Sequence, residues 1–461
     1  MIDSLPLGVE GRRADLSSAC GREKKQLKRG KPALVATKQV FFCPLYTHGQ
    51  GSLTMGFTSE IIHLDRRGKI EHGSIHKPVH TAVTYTYDDA RDLAAVFQGS
   101  QKGYTYGRQV NPTVTALQDK VTLMEGGHST VAFSTGMAAI GTALFSLLRA
   151  GDHFISSSFL FGNTNSLFNS FAVHGIEVSF VDATSVDEVR AAVKDNTRLV
   201  FLETIANPRT QVADLVAIGD LCKELGLVYL VDNTMTTPYL FKPGSIGASL
   251  VVNSLTKYIG GHANALGGAI TETGNYDWSI FPNLYDNYKQ GEVASWAITQ
   301  IKKKGLRDFG ATLGAEAAHH ISVGSDTLAL RMEQACKNAG RLTTYLNDHP
   351  RVKKVYYPGL VDHPQHELAK ELFKYPGALF SVELIDEIDC FDFLNDLDLV
   401  ACTSNLGDTR SLGIPVAHSI YYEMGPERRA SMGIDDSLVR FSIGIEETDD
   451  LLADFEQALS V

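Results

Sequence analysis

The stretch TRLVFLETIANPRTQVADLVAIGDLCKELGLVYLVDN, residues 197–233, decides the fold. It opens with a continuous apolar run, passes through a proline-containing loop and a segment of helical length, and closes on a second apolar run ending in Asp232. Strands apolar on both faces and joined by a helix fit a parallel sheet covered on both sides. The unit repeats upstream: STVAF precedes GMAAIGTALFSLLRAG, DHFISS precedes NTNSLFNSFAVHG, and EVSFVDA precedes SVDEVRAAVKDN. From about residue 128 the chain therefore reads as a doubly wound, mostly parallel α/β domain. Ligands of such sheets collect beyond the carboxyl ends of the strands.

Beyond residue 310 the pattern turns helical, AEAAHHISVGSDTLALRMEQACKNAGRLTTYL, long enough to bridge two domains. RVKKVYY, GALFSVELI and SLVRFSIGIE follow with helices between them, which reads as a smaller C-terminal α+β domain. The expected division is a basic, disordered extension over 1–54, an arm over 55–112, the large α/β domain over 113–309 and the α+β domain over 310–461. The arm is rich in His, Tyr and Thr with little periodicity, as expected of a segment that packs on something else.

Composition narrows the class. A chain of 461 residues, 44% hydrophobic and 21% charged, has room for a large core and is ordinary for a soluble protein. The net charge of -11 argues against a nucleic-acid partner, and no run reaches the roughly 20 apolar residues that span a bilayer. Cys20, Cys43, Cys222, Cys336, Cys390 and Cys402 are scattered without metal-ligand spacing, so the reading is no disulfide, no zinc, and a reducing, cytoplasmic compartment. Residues 1–54 carry nine Lys/Arg against four Asp/Glu, so the remainder is more acidic than the whole. An organellar presequence is one reading of this leader, weakened by its four acids. An upstream misreading or a tag, with Met55 the true start, is the other.

Chemistry concentrates at strand ends. In VVNSLTKYIGGHANALGG, residues 251–268, Lys257 ends an apolar strand among Ser254, Thr256, Gly260 and Gly261, where desolvation disfavours its charged form and makes its amine a nucleophile. A lysine snorkelling out of the strand end is the alternative for such a residue alone. Asp232 ends LVYLVD, where an acid needs a partner or a purpose, N-capping being the plainer one. Thr135, Gly136 and Met137 open a helix whose free N–H groups suit an anion. Asn207 precedes a proline in a fixed loop. A lysine for an aldehyde, a nest for a phosphate and a carboxylate for a pyridine nitrogen together suit pyridoxal 5'-phosphate. The competing nucleotide-binding reading lacks both G-x-x-x-x-G-K-[ST] and a G-x-G-x-x-G after a strand.

SLTKYIGGH, VDNT and YGRQVNPT together resemble the Cys/Met-metabolism family of pyridoxal-phosphate enzymes, from about residue 56 to the C-terminus. The resemblance implies a fold type I PLP-transferase. It makes Lys257 the Schiff-base lysine and Asp232 the partner of the pyridine nitrogen. Asn207 would bond the ring hydroxyl, Phe161 would stack on the ring, and Gly136, Met137, Ser254 and Thr256 would hold the phosphate. Tyr106 and Arg108 match the pair that reaches the phosphate of a neighbouring subunit, implying a dimer within a homotetramer. Arg440 matches the binder of the substrate α-carboxylate. Alternation along SLVRFSIG independently places Leu438, Arg440 and Ser442 on one face, where a guanidinium fork suits a carboxylate, a structural salt bridge being the alternative.

Two departures stand out. Phe161, in FLFGNTNS, occupies the position of the family's stacking tyrosine, which leaves Tyr106 as the remaining phenol near the site. GIPVAHSIYYE, residues 413–423, replaces the family's HPAS segment, with His418 and Tyr421 candidates for the same space and a packed loop the plainer reading. Asn405 in TSNLGDTRSL, Arg307 and Asp308 in LRDFGATLG, and YDWSIFPN look most like the O-acetylhomoserine sulfhydrylase branch. That branch implies γ-replacement on an activated homoserine ester by sulfide or a thiol, in methionine biosynthesis. Methionine or cystathionine γ-lyase and cystathionine γ-synthase are the alternatives.

Overall fold

A computed structural model of the chain describes residues 55–460; the basic extension read over 1–54 and its cysteines lie outside the described residues. Seven strands build the larger sheet: β1 (Ser129–Phe133), β2 (His153–Ser157), β3 (Glu177–Val181), β4 (Thr197–Glu203), β5 (Val228–Asp232), β6 (Leu250–Asn253) and β7 (Gly268–Glu272). Their order is β1-β7-β6-β5-β4-β2-β3. β7 runs antiparallel to both neighbours, and the pairs from β6 through β3 are parallel.

The apolar runs belong to strands buried on both faces. Val200, Leu202, Tyr229 and Val231 pack into one core, while Leu199, Phe201, Val228 and Leu230 pack into a second. That alternation assigns the cores to opposite sides of the sheet, because successive strand side chains point to opposite faces. Each fully buried aliphatic side chain contributes about 1.5–3 kcal/mol.

The run expected as one bridging helix is two, Ala315–Ser325 and Leu328–Asn347. At the break, the buried Lys120 ammonium donates to Asp326 Oδ1 at 2.8 Å and to the Ser322 carbonyl at 3.2 Å. A side chain from the helix Pro112–Glu125 thus captures groups at the junction. The smaller sheet contains β8 (Val352–Tyr356), β9 (Leu379–Leu384), β10 (Ala401–Cys402), β11 (Leu412–Pro415) and β12 (Leu438–Ser442), ordered β10-β11-β12-β9-β8. Helix Ala90–Gln98 buries none of its residues, and Phe97 is 67% exposed.

Candidate active site

The carboxyl ends of β4, β5 and β6 face β12 of the smaller sheet across a cavity of about 280 Å³. Lys257, Asp232, Asn207, Gly136, Met137, Phe161, Ser254, Thr256 and Arg440 all line it. Residues spread over more than 300 positions of sequence thus meet around one space.

Thr135 caps the helix Gly136–Leu147, its hydroxyl accepting from the Ala138 N–H at 2.9 Å. A Cβ at Gly136 would lie 2.8 Å from Ser254 Cβ, so glycine is what lets the helix start approach the end of β6. The geometry is a helix N-terminus closed on a serine, which suits a phosphate. The Thr256 hydroxyl is engaged locally: it accepts from the Gly267 N–H at 2.9 Å and donates to the Gly267 carbonyl at 3.2 Å. Behind β5 and β6, one oxygen of buried Glu125 accepts from Asn233 Nδ2 at 3.0 Å and Asn253 Nδ2 at 2.6 Å. This bridge fixes the strand ends that carry Asp232 and Ser254.

Lys257 Nζ donates to Asn405 Oδ1 at 2.6 Å. Burial, then the nearby Arg440 charge, lowers its pKa to about 8, as a nucleophilic amine requires. Asp232 accepts from the Thr234 N–H at 2.9 Å. Burial raises its pKa, and the hydrogen bonds of Thr234 oppose the rise. Glu203, its partner in register on β4, is also raised, by burial first and by the Asp232 charge second. Two neighbouring acids, Glu203 buried and Asp232 half-buried, favour one negative charge between them, and a cation brought to Asp232 would fix it there.

Arg440 is 1% exposed on β12. It donates to Asn207 Oδ1 at 3.3 Å and to the Asn405 carbonyl at 2.9 Å, while its buried Nε finds no partner. Among the described residues no acid pairs with it, so the salt-bridge alternative does not hold. A buried guanidinium with an unused N–H beside a cavity suits an incoming carboxylate.

Tyr106 and Arg108 stand apart from this cavity. Tyr106 is 41% exposed, with the Arg108 guanidinium 5.4 Å from its ring centre. Arg108 also donates to the Arg307 carbonyl. His418 is exposed and bonds the Asp436 carbonyl at 3.0 Å, outside the site. Sequence reasoning passed over Glu203, although it ends an apolar strand as Asp232 does, and over Asn163, Thr164, Met235 and Leu406, which also line the cavity.

Residues 58–460 match the model of the family described as Cys/Met metabolism PLP-dependent enzyme. The chain belongs to that family. The L-methionine gamma-lyase of Fusobacterium nucleatum subsp. polymorphum is 39% identical over 392 residues, covering 84% of this chain and 94% of the relative. The O-acetyl-L-homoserine sulfhydrylase of Corynebacterium glutamicum is 34% identical over 419 residues, covering 87% and 96%. A solved Campylobacter jejuni chain, assigned as an O-acetylhomoserine (thiol)-lyase and carrying N'-pyridoxyl-lysine-5'-monophosphate, superposes with a TM-score of 0.83 at 29% identity, covering 88% of this chain and all of that one.

The chain is thus a fold type I PLP-dependent enzyme of γ-elimination or γ-replacement in sulfur amino-acid metabolism. The cavity fits that cofactor: it has a desolvated lysine, a half-buried acid of raised pKa and a helix start that only glycine permits. No helix of the described residues is long and apolar enough to cross a membrane, and Cys222, Cys336, Cys390 and Cys402 are free thiols.

Proposed function

We propose that this enzyme replaces the γ-substituent of an activated homoserine ester, such as O-acetylhomoserine, with sulfide or a small thiol. The observation that carries the amino-acid substrate is Arg440, a buried cation without an acid beside Lys257. Its fork takes the substrate α-carboxylate and so orients the Cα–H bond toward the lysine amine. Bound pyridoxal phosphate supplies the sink for the electrons that the substrate carbons release.

Lys257 holds the cofactor and, once displaced by substrate, moves protons at Cα and Cβ in its neutral form, which the lowered pKa favours. Asp232 keeps the pyridine nitrogen protonated, Asn207 bonds the ring hydroxyl and Phe161 stacks on the ring. Gly136, Met137, Ser254 and Thr256 surround the phosphate, Thr256 chiefly through the turn it ties. Tyr106 and Arg108 do not line the cavity of their own chain, which supports their serving the phosphate site of a second copy in a dimer of dimers. The unburied helix Ala90–Gln98 supports an arm that packs on that copy. The four free thiols suit a cytoplasmic enzyme.

Asn405 favours replacement: it lies in the segment resembling the sulfhydrylases and holds the Lys257 amine at 2.6 Å. A γ-lyase is the second reading, favoured by the 39% identity to a methionine γ-lyase. The two part over whether a nucleophile reaches Cγ before the product is released as a 2-oxo acid. The test is to supply O-acetylhomoserine with sulfide, and separately methionine or cystathionine alone, measuring homocysteine and 2-oxobutanoate. Homocysteine well in excess of 2-oxobutanoate is the expected result. Rapid 2-oxobutanoate from methionine, without ester-dependent homocysteine, would install the lyase instead.

A further inference from the structure

The segment 413–423 carries one fully buried tyrosine, whose hydroxyl reaches two loops that contribute to the cavity. Tyr421 has no exposed surface. Its hydroxyl donates to the Asn207 carbonyl at 2.6 Å and lies 3.1 Å from the Leu160 carbonyl, so a single proton is shared between two loops. One loop follows β4 and carries Asn207; the other follows β2 and carries Phe161, the residue after Leu160. Glu203 Oε1 also accepts from the Phe161 N–H at 3.0 Å. The phenol therefore spans the carbonyls of both loops, and the carboxylate adds a hold on the amide of the loop that carries Phe161.

We infer that Tyr421 is a positioning residue for the cofactor ring: its hydroxyl sets the distance between the loop that presents Phe161 and the loop that presents Asn207. The inference rests on the reading that those two side chains face the ring. It separates the two parts of the tyrosine. The aromatic body packs with Val416, Ala417, Ile434 and Leu438 and belongs to the core. The oxygen makes no contribution there and is spent wholly on the two loops. Losing it would leave two carbonyls competing for no donor, and the loops would drift apart while the core stays filled.

The test is Tyr421→Phe, loaded with pyridoxal phosphate and compared with the loaded wild type. The expected results are weaker visible circular dichroism from the bound cofactor and about a tenfold faster release of it, the equivalent of roughly one lost hydrogen bond. Amide hydrogen exchange should quicken in 158–163 and 204–210 but not in 250–256. The turnover number should fall with little change in KM. Unchanged dichroism and release, or faster exchange throughout the chain, would overturn the inference. So would a Phe variant that cannot fold, because the oxygen would then serve overall stability. Phe161→Leu is the control for the underlying reading: if its cofactor dichroism matches the wild type, the ring does not lie against Phe161 and the proposal falls with that placement. If Phe161→Leu alters the dichroism and Tyr421→Phe does not, only the clamp fails.

Discussion

Lys257→Met should make the cofactor-free protein more stable at pH 7, although it removes the lysine proposed to hold the cofactor. In the folded chain burial and the Arg440 charge bring the lysine from its usual 10.5 to about 8. Each unit is about 1.4 kcal/mol of differential interaction, so the ceiling on the penalty is about 3 kcal/mol. A pKa difference is already the net of all interactions that distinguish the two protonation states, so the expected gain on substitution is up to about 3 kcal/mol. The sign follows from proton binding. Between pH 8 and 10.5 the unfolded chain holds the proton that the folded chain has lost, so wild-type stability rises with pH through that window. Below pH 8 the penalty is fully present. Methionine fills a similar volume and carries no charge, so its variant lacks this rise. Urea unfolding of both cofactor-stripped proteins, at matched protomer concentration, should show the gap at pH 7 and its disappearance near pH 10.5. A variant less stable than wild type at pH 7, or a difference indifferent to pH, would refute the reasoning.

Arg440→Lys keeps the charge but loses the fork and its bonds to Asn207 and Asn405, so kcat/KM should fall about 10²–10³-fold while the visible band of the bound cofactor stays; steady-state kinetics and an absorption spectrum check both. If two chains share each phosphate site, inactive Arg108→Ala mixed with inactive Lys257→Ala should recover part of the wild-type activity after subunit exchange. An active monomer in sedimentation would contradict that arrangement.

The sequence yields what is local and repetitive. β4 and β5 declare themselves because both faces are buried, so their apolar runs are unbroken and their ends are marked by an acid. Lys257, Asp232 and Gly136 stand at such ends, and the sheet brings them to one cavity. What escapes is pairing across the sheet. Glu203 carries the same mark as Asp232, but its meaning depends on the register that sets the two side by side, and register is a long-range property. The broken helix escapes for the same reason: its interruption is read from Lys120, some two hundred positions upstream of Asp326. Thr256 shows the converse, a hydroxyl whose residue type suits an anion but whose proton and lone pair go to Gly267.

Tyr421 joins these cases. Nothing in GIPVAHSIYYE has a period, so the sequence offers Tyr421 as a candidate for the space by the site without saying what its hydroxyl would bond. The fold distinguishes them by burial: Tyr422 is 68% exposed, while Tyr421 reaches two loops that begin more than two hundred residues earlier. The site is thus assembled in two stages of differing legibility. Strand ends supply the candidate reactive groups at positions a pattern can find. Side chains from the second sheet and its loops, Arg440, Asn405 and Tyr421, then fix how far those groups stand from one another. Substrate choice between ester and thioether belongs to this second stage, because the cofactor groups serve elimination and replacement alike. Exchanging residues 403–440 with the corresponding segment of a γ-lyase should therefore move the ratio of 2-oxobutanoate to homocysteine while leaving the cofactor spectrum in place.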